Sequence, residues 1–133
     1  MSEAISLTIY GHPVPKARAR TVRTRGGRTV SYTPAKTESW EDSIRAQALQ
    51  SRPGRLLDGP LALEATFYLL RPKSKPKRVL YPAWRPDLDN LVKSVKDALE
   101  GIIYTNDSRI VDEVARKRYG DPPRVEITIR PAG

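Results

Sequence analysis

Three aspartates, Asp87, Asp89 and Asp107, are the residues whose type and spacing best suit chemistry. The first two stand two positions apart in R-P-D-L-D-N-L-V-K-S-V-K-D-A-L-E-G, residues 85–101, and the third lies in T-N-D-S shortly after. Side chains at i and i+2 of an extended segment project to the same side, so Asp87 and Asp89 can converge on one cation. Asp107, in a tight turn, can return to close the group. Hard divalent cations such as Mg²⁺ take oxygen ligands, typically one or two carboxylates with water and substrate phosphate. A phosphodiester hydrolase uses such a site to generate hydroxide near neutral pH and to offset charge on the attacking and leaving oxygens. Lys93 lies four residues after Asp89 on the same helix flank. It can pair with that carboxylate, or place its ammonium on a phosphate as charge develops. Asn90 can orient a ligand from behind.

The same residues have a plainer reading. An aspartate just before a helix is an ordinary N-cap, stabilising by about 1 kcal/mol, and its charge suits the helix dipole. Capping is the commoner explanation of any single Asp-x-Asp at a helix start, and both readings stay open here. Other sites are excluded. A calcium loop would place Leu91, Val92 and Ala98 where it needs an oxygen ligand, a glycine and a bidentate glutamate. There is no Gly-rich phosphate loop of Walker type. With no cysteine and one histidine, His12, read as a loop side chain, the usual zinc cluster cannot form.

Charge sharpens the question. The 133 residues carry 24 Lys and Arg against 15 Asp and Glu, a net +9 that points to a polyanionic partner. Residues 87–113 hold seven acids and three bases, net −4, which leaves +13 on the remaining 106 residues. A membrane-surface protein would explain the +13 but not the acidic island. The basic residues concentrate in two segments. Residues 16–32, K-A-R-A-R-T-V-R-T-R-G-G-R-T-V-S-Y, contain Lys16, Arg18, Arg20, Arg23, Arg25 and Arg28 and no acid. Like charges at this density repel unless something neutralises them, and phosphates do that well. A Pro-rich stretch, about 71–86, adds Lys73, Lys75 and Arg85 among its bases. Tyr32, Tyr81 and Trp84 are available to stack on exposed bases, although partial burial in the core is the expectation for each.

The elements that must position these groups follow from periodicity. Residues 5–10 alternate as a half-buried strand, and a second strand covers 61–70 with Leu61, Leu63, Ala65, Phe67 and Leu69 on one face. Gly26-Gly27 reads as a two-residue hairpin turn. Thr33-Pro34 opens a helix along which Trp40, Ile44, Ala48 and Leu49 recur until Pro53-Gly54. The strongest helix starts near Asp89, with Leu88, Leu91, Val92, Val95 and Leu99 as one stripe and Gly101 as its cap. Residues 110–119 favour strand because β-branched residues lead them, and Val125, Ile127 and Ile129 alternate as a last strand. Helices between terminal strands predict an α+β fold, one domain over 1–133 with a mixed sheet and about two main helices packed on it. Without disulfides, a signal-peptide pattern or an apolar run of membrane-spanning length, the expectation is a soluble, cytoplasmic protein with no membrane partner.

These motifs together resemble a known family. D-L-D-N-L-x-K-x-x-x-D-A-L from Asp87 to Leu99, followed by N-D-S-R-I-V-D from Asn106 to Asp112, is similar to the RusA family of Holliday-junction resolvases, often prophage-encoded. G-x-P-x-P-K-A-R-A-R at 11–20 and Y-T-P-A-K-T at 32–37 resemble its N-terminal half, so the likeness spans roughly residues 7–130. It implies a small homodimeric endonuclease of DNA recombination and repair that nicks four-way junction DNA symmetrically with Mg²⁺, or Mn²⁺ as a substitute. By motif match its metal-binding aspartates fall on Asp87, Asp89 and Asp107, its essential lysine on Lys93, and a further acidic position on Asp112. Where the best-known member has a basic residue directly before the first aspartate, this chain has Pro86, with Arg85 one step earlier. Paired cuts need two sites, and twofold symmetry matches the junction. Trp40, Ile44 and Leu49, or the apolar stripe after Asp89, are the interface candidates. A less selective flap or duplex nuclease, and a non-catalytic DNA-binding protein whose aspartates only cap a helix, are the alternatives.

Overall fold

A computed structural model gives the fold and describes residues 4–17, 20–32 and 34–133. Arg18 lies outside the described residues, as do the side chains of Arg20 and Tyr32. The elements are β1 (Ile5–Tyr10), β2 (Arg20–Arg23), β3 (Thr29–Tyr32), α1 (Ala35–Ala48), β4 (Leu61–Leu69), α2 (Leu88–Leu99), β5 (Ile110–Tyr119) and β6 (Arg124–Pro131). Four strands form a mixed sheet in the order β1-β6-β4-β5, and β2 and β3 form a separate hairpin. β6 runs antiparallel to both β1 and β4, whereas β4 and β5 are parallel. A parallel pair needs a crossover, and α2 supplies it. The fold is α+β with two helices on the sheet, as its sequence predicts.

Alternation builds the buried face. Leu7 and Ile9 of β1, Leu61, Leu63, Ala65 and Phe67 of β4, and Val125, Ile127 and Ile129 of β6 are all buried. Trp40, Ile44 and Ala48 of α1 and Leu91, Val92, Val95, Ala98 and Leu99 of α2 close over them. Each fully buried Leu, Val or Ile contributes about 1.5–3 kcal/mol, so α2 is fixed along its whole length by its apolar stripe. Tyr104 is buried below α2, and its hydroxyl donates to the Lys96 carbonyl at 2.6 Å. Gly11 ends β1 at φ +135°, and a Cβ there would sit 2.9 Å from the Trp40 ring, so α1 presses directly on backbone.

Three expectations are corrected. The hairpin turn is longer than two residues: Thr24 N–H donates to Arg28 O at 2.7 Å, closing a three-residue loop with Gly27 at φ +82°. Leu49 falls in the 3₁₀ turn after α1 and is 52% exposed, because the change of pitch rotates it off the buried stripe. Trp40, Ile44 and the α2 stripe are consumed by the monomer's own core and are no interface. Leu49 and the free edge strand β5, with Val111 and Val114 exposed, remain as apolar surface. Among the described residues no helix is long and apolar enough to cross a membrane.

Candidate active site

The segment between β4 and α2 delivers Asp87. It is held from the sheet by Lys117, whose ammonium donates to the carbonyls of Trp84 at 2.7 Å and Pro86 at 2.8 Å. On β5, Ala115 packs on the core, so strand alternation puts Lys117 and Glu113 on the same, helix-bearing side. Glu113 uses that position to accept from Lys96 of α2 at 2.9 Å. Neither Lys117 nor Glu113 carries a sequence motif. Their roles come from a strand register that local periodicity does not contain.

Asp87 is the N-cap residue of α2, in extended backbone with φ −71° and ψ 137°, and its carbonyl accepts from Leu91 N–H at 3.2 Å. Its carboxylate makes no capping hydrogen bond. Asp89 accepts the N–H of Asn90 at 3.0 Å, one of the helix-start donors that lack an intrahelical partner. One carboxylate therefore helps to start the helix and the other does not. Asp87 lines a cavity of about 390 Å³ with Pro15, Lys16, Arg85, Pro86 and Asn90.

Lys93 points away from Asp89. Its ammonium lies 3.0 Å from Asp97 and 3.7 Å from Asp107, so the expected Asp89–Lys93 pair is replaced. Asp97 sits four residues on, one turn toward the helix C-terminus, and also accepts from Lys16 at 3.1 Å. Lys16 in turn donates to the buried Glu41 of α1 at 2.8 Å, and its backbone N–H donates to Asn90 O at 2.8 Å. The result is an alternating chain of charge, Glu41–Lys16–Asp97–Lys93–Asp107, running from the core out along α2. Burial alone would raise the Asp97 pKa, but hydrogen bonds from Lys93 and Lys16 prevail and hold it below the ordinary carboxylate value. The bond to Asp97 raises Lys93 above the ordinary lysine value, against a smaller opposing effect of burial. Lys16 is raised as well: desolvation opposes its charge, and Glu41 and Asp97 outweigh it. Asp97, Lys93 and Lys16 are therefore charged at neutral pH.

The three aspartates are thus unequally gathered. Asp107 N–H donates to the Glu100 carboxylate at 2.8 Å, which seats Asp107 toward the far end of α2, and Lys93 reaches to it. The N-cap lies six residues before Lys93, about 9 Å along the axis at the helical rise of 1.5 Å per residue. Among the described residues no three His, Asp or Glu side chains stand together as a formed metal cluster. The donor set is nonetheless all oxygen, which suits a hard cation. Asp112 has the opposite facing from Glu113 on β5, which turns it away from α2.

The positive residues divide. Lys16 is committed to carboxylates, whereas Arg23, Arg25 and Arg28 are exposed on the hairpin and Lys73 and Arg85 are exposed on the loop. Lys75 lies over the Trp84 ring, 3.7 Å from its centroid, and Arg118 lies 5.1 Å from the centroid of Tyr81. Trp84 and Tyr81 are 50% and 58% exposed, so the expected burial is corrected: cations cover these rings in place of core.

A carboxylate–lysine flank on a small α+β domain of net charge +9 fits the class of enzymes that act on nucleic-acid phosphates. The endodeoxyribonuclease RusA family matches residues 10–130, nearly the whole chain, and the protein belongs to that family. It is 37% identical over 138 aligned positions, covering 96% of each chain, to the uncharacterized protein YqaN of Bacillus subtilis (strain 168). It is 34% identical over 90 positions, 65% of this chain and 68% of the other, to the crossover junction endodeoxyribonuclease rusA of Lactococcus phage r1t.

Proposed function

We propose that this endodeoxyribonuclease resolves four-way DNA junctions by paired symmetric nicks, as a homodimer and with a divalent cation, Mg²⁺ or Mn²⁺. The observation that carries the reading is Asp87, a carboxylate placed at a helix start, facing a cavity with Lys16 and Asn90, and spent on no cap. Family membership and the name of the phage relative support the choice of DNA junctions. Asp87, Asp89 and Asp107 are the residues that would hold the cation. When bound, it would supply hydroxide near neutral pH and stabilise charge on the phosphate oxygens.

The chain's own residues do the rest. Lys93, charged and steered by Asp97, offers an ammonium to the phosphate as negative charge develops. Asn90 lines the Asp87 cavity and orients what enters it. Arg85 and the exposed hairpin arginines hold the backbone, and counterion release makes that grip strongly salt-dependent. Lys117 fixes the peptide that precedes Asp87, so positional freedom at the reacting centre is removed before substrate arrives.

The test compares a four-way junction, a flap and linear duplex on one gel, with Mg²⁺ and with EDTA, for wild type and Asp89→Asn. We expect symmetric nicks confined to the junction, lost in EDTA. The variant should lose cleavage and keep or tighten junction binding, because a repelling charge is gone. Cleavage of all three substrates would leave a less selective nuclease. Wild-type cleavage by Asp89→Asn would sink the assignment of the aspartates.

A further inference from the structure

A second cavity, of about 240 Å³, lies beside the aspartate cavity and shares Arg85 and Pro86 with it. Its walls are mostly apolar and rigid: Pro13 and Pro82 are buried, and Leu69, Pro86, Tyr119 and the half-exposed Trp84 complete them. Lys75, Arg85 and His12 are its polar lining residues, and no acid lines it. Lys75 stands on the Trp84 face and Arg71 is 4.8 Å from the centroid of the Tyr119 ring, so both aromatic walls are braced by cations. Prolines and braced rings do not collapse to fill a void, so the hollow stands ready-made.

We propose that this cavity is a nucleobase subsite, taking one unstacked base of the DNA strand whose phosphate is addressed at Asp87. The inference rests on the nuclease reading above and adds to it a determinant of where the strand is cut. Three properties select a base. The volume lies below the roughly 300–1,000 Å³ of sites for larger ligands, and a single planar ring system suits it. The proline walls and the ring faces not covered by Lys75 and Arg71 offer stacking, which every base accepts and which costs a branched substrate little where pairing is already broken. The rim, with Lys75 and Arg85 and no acid, suits the phosphates on either side of an extruded nucleotide and disfavours an acidic or purely apolar peptide. Position selects the strand: Asp87 lies three residues after Trp84, at most about 11 Å of chain, or some three duplex steps of 3.4 Å. The base belongs within about three nucleotides of the cut.

The experiment uses four-way junctions carrying 2-aminopurine singly at each of the three nucleotides on either side of the cut, bound to full-length protein in EDTA so that cleavage does not interfere. We expect an emission change at one position on wild-type binding, and its loss in Trp84→Ala. In Mg²⁺, junctions varied at that nucleotide should be cut by wild type at rates differing by tenfold or more. That ratio should fall toward one in Trp84→Ala and return in Trp84→Phe, which keeps an aromatic wall. Because Trp84 is half-exposed and its anchoring to Lys117 is through backbone, Trp84→Ala should fold. A variant that binds and cuts with the wild-type ratio and the wild-type emission change overturns the subsite and leaves the nuclease reading standing. Wild type that neither binds nor cuts branched DNA overturns both.

Discussion

Replacing Lys117 by Met removes the hydrogen-bonded tether between the sheet and the peptide before Asp87. The ammonium donates to two carbonyls, Trp84 O at 2.7 Å and Pro86 O at 2.8 Å. A hydrogen bond from a charged donor is worth about 1.5–3 kcal/mol when fully formed and buried. Lys117 is partly exposed, so screening reduces the pair together to about 1–3 kcal/mol. Methionine keeps most of the aliphatic stem, and its loss is therefore a loss of the tether alone. At 1.4 kcal/mol per factor of ten, the fixed form of the loop is disfavoured by about five- to a hundredfold relative to wild type. The core does not depend on this contact, so the cost falls on local opening and not on global unfolding. We expect the single-turnover rate of junction cleavage to drop about ten- to a hundredfold, since a misplacement of about 1 Å at a reacting centre has that scale. Junction affinity should change less than threefold, and amides of residues 84–89 should exchange faster with solvent. Cleavage within twofold of wild type, with unchanged exchange, would refute the idea that β5 positions Asp87 through this lysine.

Asp97→Asn should keep the size of the side chain and remove the charge that steers Lys93, lowering the cleavage rate by at least tenfold with junction binding within about threefold, as read by single-turnover kinetics and gel shift. Tyr104 is held well above its ordinary pKa, chiefly by burial and then by nearby carboxylates including Asp107 and Glu100. Its phenol stays neutral in the folded chain and ionises near pH 10 on unfolding, so its contribution is intact below about pH 10 and is lost as pH rises above that value. Tyr104→Phe should cost about 1 kcal/mol at pH 7 through the lost bond to Lys96 O, and the gap to wild type in urea midpoint should narrow at pH 10.5. Arg23→Ala with Arg25→Ala should flatten the salt dependence of junction binding by about 1.8 in log–log slope if both arginines sit on phosphate; an unchanged slope removes the hairpin from the DNA-contacting surface.

What could be read from the sequence was whatever short-range periodicity carries. The β1, β4 and β6 alternations and the α2 stripe each repeat within one element, and each names its buried face without reference to any other. Leu49 escaped because one 3₁₀ turn changes the pitch after the pattern has been set. Trp84 and Tyr81 escaped because Lys75 meets Trp84 only when the loop folds back on itself, and Arg118 of β5 meets Tyr81 only through the loop's tertiary path. The motif marked Lys93, but its carboxylate partner depends on rotamer and on where Asp107 returns, so Asp97 replaced Asp89. Lys16, Glu41 and Asp97 lie far apart in the sequence, and no local signal joins them.

That last linkage changes how the acidic island should be understood. Lys16 opens the basic segment, yet it points inward to Glu41 and Asp97, so the island and the basic body meet in one ion chain and do not simply sit side by side. Asp97 and Asp107 are the acids that chain neutralises, and both contact Lys93. Asp87 and Asp89 stand outside it, exposed at the helix start. The division has a chemical sense. Asp97 is shared by two lysines and positions Lys93, whereas Asp87 and Asp89 form no ion pair among the described residues; Asp107, the third residue proposed for the cation, lies 3.7 Å from Lys93 and joins the two groups. A variant that moved Lys93 onto Asp89 would therefore be expected to fold and to lose the site.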